Sequence, residues 1–376
     1  MRKLSVLAIA GLPLIALAQP AQAQRAGDKI AGSYVCVFNK AAVSRGNAEA
    51  EATRAAQSAG AQLTRVYSVA IRGFAVNGSP QSIEQMKAAN PNIAYCEQDQ
   101  VVTHPPIQIM AKPGGGGTQP AQETPWGIAR VNGGAAGIFA TAWVIDTGID
   151  LDHPDLNVDV LRSKNFVERE SSPEDLNGHG THVAGTIAAR DNTIGVIGVA
   201  PGASVVAVRV LDRRGSGTIS GVIAGVDYVA KNGSGLLGDV ANMSLGGGAS
   251  QSLDDAVLGA SAGGIRFAIA AGNDSANANN YSPARVNGPY VFTVSAFAIG
   301  DKWASYSNFG NPPIDYAEPG SSIKSTWKDA GYNTISGTSM ATPHLAGLLL
   351  TGLLGNGGPV AGDPDGNPDP IGVKVQ

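Results

Sequence analysis

From Thr141 onward the chain alternates short, uninterrupted apolar runs with helix-like segments, and this alternation limits the fold more than any other feature. "TAWVIDTG", "SVVAVRVL", "DVANMSLGG", "IRFAIAAGN" and "VFTVSAF" read as strands, while "HVAGTIAAR", "ISGVIAGVDYVAKNG" and "LDDAVLGASAGG" read as helices. Continuously apolar strands separated by helices predict an α/β domain with a parallel sheet covered on both faces. Such sheets gather their chemistry at the carboxyl ends of the strands. The 376 residues, 43% hydrophobic and 15% charged, suffice for two domains with a large core. A net charge of −4 gives no electrostatic reason to expect nucleic acid or an anionic membrane as a partner.

Three segments precede this domain. Residues 1–23 carry Arg2 and Lys3, an apolar run from Leu4 to Ala18, and the small-residue triplet Ala21-Gln22-Ala23. That is the pattern of a signal peptide cut after Ala23, so a secreted protein, extracellular or periplasmic and without a membrane anchor, is expected. Residues 24–104 read β-α-β-β-α-β, the split βαβ or ferredoxin-like α+β arrangement, with Ser79 and Pro80 opening its second helix. The only cysteines, Cys36 in "YVCVF" and Cys96 in "AYCEQ", fall midway along its first and last strands. Those strands are antiparallel neighbours in such a fold, so a Cys36–Cys96 disulfide is expected after export. Residues 105–124, rich in Pro, Gly, Gln and Thr, read as a linker to a domain spanning 125–376. The end of that domain, "LLGNGGPVAGDPDGNPDPIGVKVQ", reads as a turn-rich tail.

Chemistry is suggested first by "GTSMATPH" ahead of "LAGLLLTGLL". A helix is predicted to begin at about Ser339, with Pro343 near the end of its first turn. A hydroxyl there meets unpaired N–H groups that favour developing negative charge; a plain helix-cap serine is the alternative. Of the five histidines, His104 lies in or beside the linker, and His344 shares the helix of Ser339. His153 is another, and His182 is expected to pack or cap. His179, flanked by Gly178 and Gly180 in "NGHGTHVAGTI", is the expected base. Asp146 leaves the end of the buried strand "VIDTG", where a carboxylate that orients the base belongs.

Asp146, His179 and Ser339 occur in the chain order of the subtilisin-like serine proteases. "VIDTGID", "NGHGTHVAGTIAA", "NMSLGG", "AAGN" and "GTSMATPH" match that family's motifs in sequence, so the stretch from Pro125 to about Leu350 resembles the subtilases, including the proteinase K-like ones. The resemblance implies a three-layer, parallel-sheet subtilisin-like domain preceded by an inhibitory propeptide. It implies a serine endopeptidase acting through an acyl-enzyme and made as a self-processed zymogen. A catalytically inactive relative that only binds peptides is the alternative. By the same resemblance Asn273 and the Ser339 N–H form the oxyanion hole. Ser244, Leu245 and Gly246 line one side of an extended substrate, and Gly215, Ser216 and Gly217 the other. Ala270, Ala271 and Gly272 wall the primary pocket.

A structural calcium is implied as well, held by side-chain oxygens of Gln122, Asp155 and Asn192 and by the carbonyls of Arg190, Ile194 and Val196, with no organic cofactor. The expected partners are polypeptide substrates and the chain's own propeptide, with the protein a monomer. The tail departs from the family, whose members continue with further helices after the serine helix.

Overall fold

Alternation along single strands fixes the layering of the larger domain. In strand β5 (Ala142–Asp146) Ala142 and Val144 point into one core while Trp143 and Ile145 point into another. The same parity holds in β7 (Val205–Arg209), where Val205 and Ala207 face the first core and Val206 and Val208 the second. In the computed structural model, which describes residues 25–105, 108–109 and 119–375, these strands build the expected parallel sheet. The segment read as a signal peptide and most of the linker lie outside the described residues.

Strands β6 (Lys164–Asn165), β9 (Val240–Met243), β10 (Arg266–Ala270), β11 (Val291–Ala298) and β12 (Ile314–Pro319) join β5 and β7 in parallel. The tail ends the sheet with strands β13 (Leu354–Pro359) and β14 (Pro370–Lys374), giving the order β13-β14-β12-β11-β10-β9-β5-β7-β6. Helices α3 (His179–Ala188) and α6 (Thr338–Thr351) cover the first face. Helices α4 (Ile219–Asn232) and α5 (Gln251–Ser261) cover the second.

The tail differs from its reading as turns alone. Its apolar residues are few, but Val360, Ile371 and Val373 are buried together with Phe297 and Ala317. Asp369 is drawn inward as well, accepting bonds from the Ser295 hydroxyl and from Asn311 Nδ2. Burial pushes its carboxyl up to about 6. An antiparallel hairpin of β13 and β14 thus closes the sheet edge where a turn-rich tail was expected.

The N-terminal layer has the order β1 (Lys29–Phe38), α1 (Ala48–Ser58), β2 (Gln62–Tyr67), β3 (Gly73–Asn77), α2 (Pro80–Ala89), β4 (Ile93–Thr103). Ser79 caps α2 by accepting from the Ser82 N–H, with Pro80 at the first helical position. The sheet runs β2-β3-β1-β4 and continues into β8 (Ser216–Thr218) of the larger domain. Cys36 lies opposite Cys96 in the β1–β4 ladder, and a disulfide joins them with Cα atoms 4.0 Å apart.

Candidate active site

The parity of β5 decides which acid reaches the site. Asp146 is in phase with Ala142 and Val144, so it emerges at the carboxyl end on the face covered by α3 and α6. Its Oδ1 accepts the Thr147 N–H at 2.7 Å and His179 Nδ1–H at 2.8 Å, with both side chains fully buried. His179 is the first residue of α3. Gly180 lets that helix approach β5, because a Cβ there would stand 2.1 Å from the Gly148 carbonyl oxygen.

Asp175, which sequence reasoning missed, holds this corner. Its Oδ1 accepts from the N–H groups of Asn177 and Gly178 and from Thr147 Oγ1, and its Oδ2 from the N–H and hydroxyl of Thr181. Thr147 Oγ1 in turn accepts the Gly180 N–H at 2.9 Å. One buried carboxylate therefore fixes both the loop after Asp146 and the start of the helix that carries His179. An Asp shortly before a helix start was the only hint in the sequence.

The helix that carries Ser339 begins at Thr338, which places Pro343 beyond its first turn and not near the end of it. Pro343 has no N–H for the Ser339 carbonyl. Ser244 Oγ takes that place, donating to the Ser339 carbonyl at 3.0 Å, and is itself bonded by Asn242 Nδ2 at 2.8 Å. The proline thus couples the serine helix to Ser244, one of the residues expected to flank the substrate. Ser339 Oγ donates to the Ser244 carbonyl at 3.2 Å. His179 Nε2 has no hydrogen-bond partner among the described residues.

Asn273 leaves the end of β10. Its Oδ1 accepts the Thr338 N–H at 2.9 Å and the Thr338 hydroxyl at 2.7 Å. Nδ2 lies beside Gly337, where a Cβ would come within 2.9 Å of it. A glycine at 337 therefore keeps an amide donor next to the start of the helix that carries Ser339.

The two expected substrate edges flank one strand of the chain itself. β4 pairs antiparallel with β8, placing Val101 opposite Thr218, Val102 opposite Gly217 and Thr103 opposite Ser216. On its other side Thr103 exchanges hydrogen bonds with Gly246. His104 follows, with its N–H on the Gly215 carbonyl and its ring stacked on His179 at 4.4 Å between centroids. Burial, and then the neighbouring His179, push the His104 imidazole down to about 4. Pro105 borders a cavity of about 540 Å³ whose walls include Leu245, Gly246, Ala270, Ala271 and Gly272. Asp274, Tyr281 and Ala284 also line it and were not foreseen.

The remaining histidines are structural, each donating to a carbonyl. His182 bonds Ile323, His344 bonds Met340 and His153 bonds Gly331, at 3.0, 2.8 and 3.0 Å. Burial holds His182 at about 3 and His344 at about 4, so both stay neutral.

The segments expected to hold calcium converge. Ala121 bridges Ile194, Glu123 bridges Val196, and the Asn192 N–H donates to Gln122 Oε1. Asp155 is fully buried, with burial raising its carboxyl. Its oxygens accept only neutral donors: Asn192 Nδ2, the Val196 N–H and the Tyr332 hydroxyl. Among the described residues no ion pair reaches it. A buried carboxylate amid amide oxygens suits a hard cation. Asn192 turns its nitrogen toward Asp155, so a ligand role requires its amide to rotate by half a turn. Arg190 donates its N–H to the Asp155 carbonyl, on the same loop.

The sequence profile of the subtilase family, peptidase S8, matches residues 142–352. Alkaline serine exoprotease A of Vibrio alginolyticus is 44% identical over 300 residues, covering 76% of this chain and 52% of its own length. The chain therefore spans about half of that relative. An extracellular serine proteinase of a Thermus species is 38% identical over 365 residues, covering 89% of this chain and 82% of its own length. Among solved structures, a cold-adapted subtilisin-like serine proteinase is 42% identical with a TM-score of 0.58, covering 67% of this chain and 98% of its own.

Proposed function

The chain belongs to the subtilase family of serine peptidases, and from that premise we propose that it is a secreted serine endopeptidase made as a self-processed zymogen. Residues 1–23 are its signal peptide, 24–104 its inhibitory propeptide of ferredoxin-like fold, 105–124 the linker that is cut, and 125–376 the peptidase domain. The observation that carries the reading is the short Asp146–His179 bond at the end of a strand held between two substrate-like edges.

In the reaction, Ser339 attacks the scissile carbonyl and His179 Nε2 takes its proton, then returns it to the leaving amine. Asp146 fixes the Nδ1–H tautomer and stabilises the imidazolium. The Asn273 amide and the Ser339 N–H receive the oxyanion. Main-chain bonds to Gly215–Gly217 and Ser244–Gly246 bind the substrate as an added strand, which asks little of its sequence. Labelling by a fluorophosphonate probe tests the assignment. The processed protein should label with one equivalent, and Ser339→Ala should abolish both labelling and self-processing. An unlabelled processed protein would favour the inactive, peptide-binding relative.

Secretion is supported by the extracellular name of the Thermus relative, and no helix among the described residues is long and apolar enough to cross a membrane. Calcium bound at Asp155 would supply the missing positive charge and tether the segment around Gln122 to the loop of Asn192. Stability would then rise by about 2.7 kcal/mol when free calcium is a hundredfold above its dissociation constant. Heat inactivation followed across a calcium titration checks this, and Asp155→Asn should remove the dependence.

A further inference from the structure

β4 enters the cleft in the register of a substrate, yet the residue it delivers to the primary pocket is a proline. Thr103 and Gly246 form the closely spaced type of antiparallel pair, exchanging bonds of 3.1 and 2.9 Å. In an antiparallel ladder such pairs recur every second residue. The next position on the edge is Ser244 and the next on the strand is Pro105. Pro105 has no N–H to donate. The Ser244 carbonyl, which would receive that bond, accepts the Ser339 hydroxyl instead. The Ser339 hydroxyl is thus bonded to a backbone carbonyl, while His179 Nε2 has no partner among the described residues. His104 meanwhile lies flat on the His179 ring, 13° from parallel. The sequence continues with a second proline, Pro106. The bond after Pro105 is therefore a tertiary amide whose nitrogen is locked in a ring.

We propose that Pro105 is a built-in silencer: by withholding an N–H from Ser244 it lets that carbonyl hold the Ser339 hydroxyl away from His179. The Pro105–Pro106 bond is then not the processing bond. The first cut falls downstream, between residues 107 and 121, once linker residues have replaced Pro105 in the cleft. The cut-off propeptide keeps Pro105 and remains an inhibitor that the enzyme does not digest at that end. This rests on reading the chain as a self-processed serine endopeptidase.

The test compares the full-length chain with a Pro105→Ala/Pro106→Ala double variant. The first residue of the mature protein is read by N-terminal sequencing, and loss of precursor is followed in time. Wild type should begin after Ile107, and the variant should gain a cut between positions 105 and 106 and lose its precursor at least tenfold faster. A wild-type mature chain beginning at Pro106, or a variant that matures at the wild-type bond and rate, overturns the proposal. Should the variant precursor fail to fold, peptides spanning residues 100–110, with and without the two substitutions, are offered to the mature wild-type enzyme. Cleavage at 105–106 in the substituted peptide alone supports the silencer; equal cleavage of both overturns it. Failure of the underlying reading looks different, because the processed protein would then cleave neither peptide, leave casein intact and resist the fluorophosphonate.

Discussion

The N-terminal layer and the α/β domain against which it lies bury their apolar surface by different means. The α/β domain closes two cores around one sheet, with strand parity alone sorting Val144 from Ile145. The layer closes only one core by itself, in which Cys36, Phe38, Phe74 and Val76 meet Ala52 of α1 and Ile83 of α2. Its other face, with Val35, Val37, Tyr67 and Ala75, shares a core with Val222 of α4 and Leu253 of α5. A domain of about eighty residues has little area to bury, which explains both the disulfide and the reliance on a neighbour. The difference teaches that each part closes one core alone and that the second core of the larger part is completed by the layer that covers it.

The sharpest test of that division is Ser339→Ala in the full chain. Peptide hydrolysis should fall by roughly 10⁶-fold, the scale known for loss of the nucleophile in subtilisin. The uncut variant should melt no lower than the processed wild-type complex in calorimetry, since the Ser339 hydroxyl contributes to neither core. Next in size, Asn273→Ala should lower kcat of the mature enzyme by about 10²–10³-fold, the range that loss of one oxyanion donor costs in subtilisin, with KM little changed. Steady-state assays on a short peptide check it.

The comparison reverses with Cys36→Ser/Cys96→Ser. This pair should destabilise the layer by about 2–4 kcal/mol and leave kcat/KM of the processed enzyme untouched. Urea unfolding of the precursor separates the two effects, and an unchanged first transition would show that the layer needs no staple.

The smallest expected effect lies in the acidity of the cleft. His104 ordinarily titrates near 6.5; burial, and then the neighbouring His179, hold it at about 4 against the opposing pull of the Pro105 carbonyl, Asp146 and Asp212. A lowered value means that the strand's hold is complete above about pH 6.5 and weakens as the pH falls toward 4. The inhibition constant of the cut-off propeptide should therefore rise about tenfold between pH 7.5 and 5.5. His104→Ala should flatten that slope.

Much of the α/β domain was legible because its signals are local and repeated. Apolar runs of strand length, glycines at the turns and an acid at a strand end together located Asp146 and His179. Other features depend on partners far away in sequence. Asp175 looks like any loop aspartate until Thr147 folds back onto it. Pro343 was placed near the end of the first turn of α6 because its tolerance deeper in the helix comes from Ser244, ninety-nine positions upstream, and not from the helix itself. The tail was read as turns because the burial of Ile371 and Val373 becomes visible only when Phe297 is beside them.

The seam between the two parts is fastened mainly by carboxylates on uncharged groups. Glu97 accepts the Gln251 and Ser252 N–H groups at the start of α5, and Asp99 accepts the Ser220 N–H in the first turn of α4. Asp227 of the larger domain accepts the N–H groups of Ser68, Val69 and Ala70 in return. Each is an ion meeting an oriented dipole at contact distance, where counterions have no room to intervene. Such a fastening is less sensitive to brine than a set of exposed ion pairs would be. A layer held this way keeps its seat on the larger domain when the ionic strength around it rises.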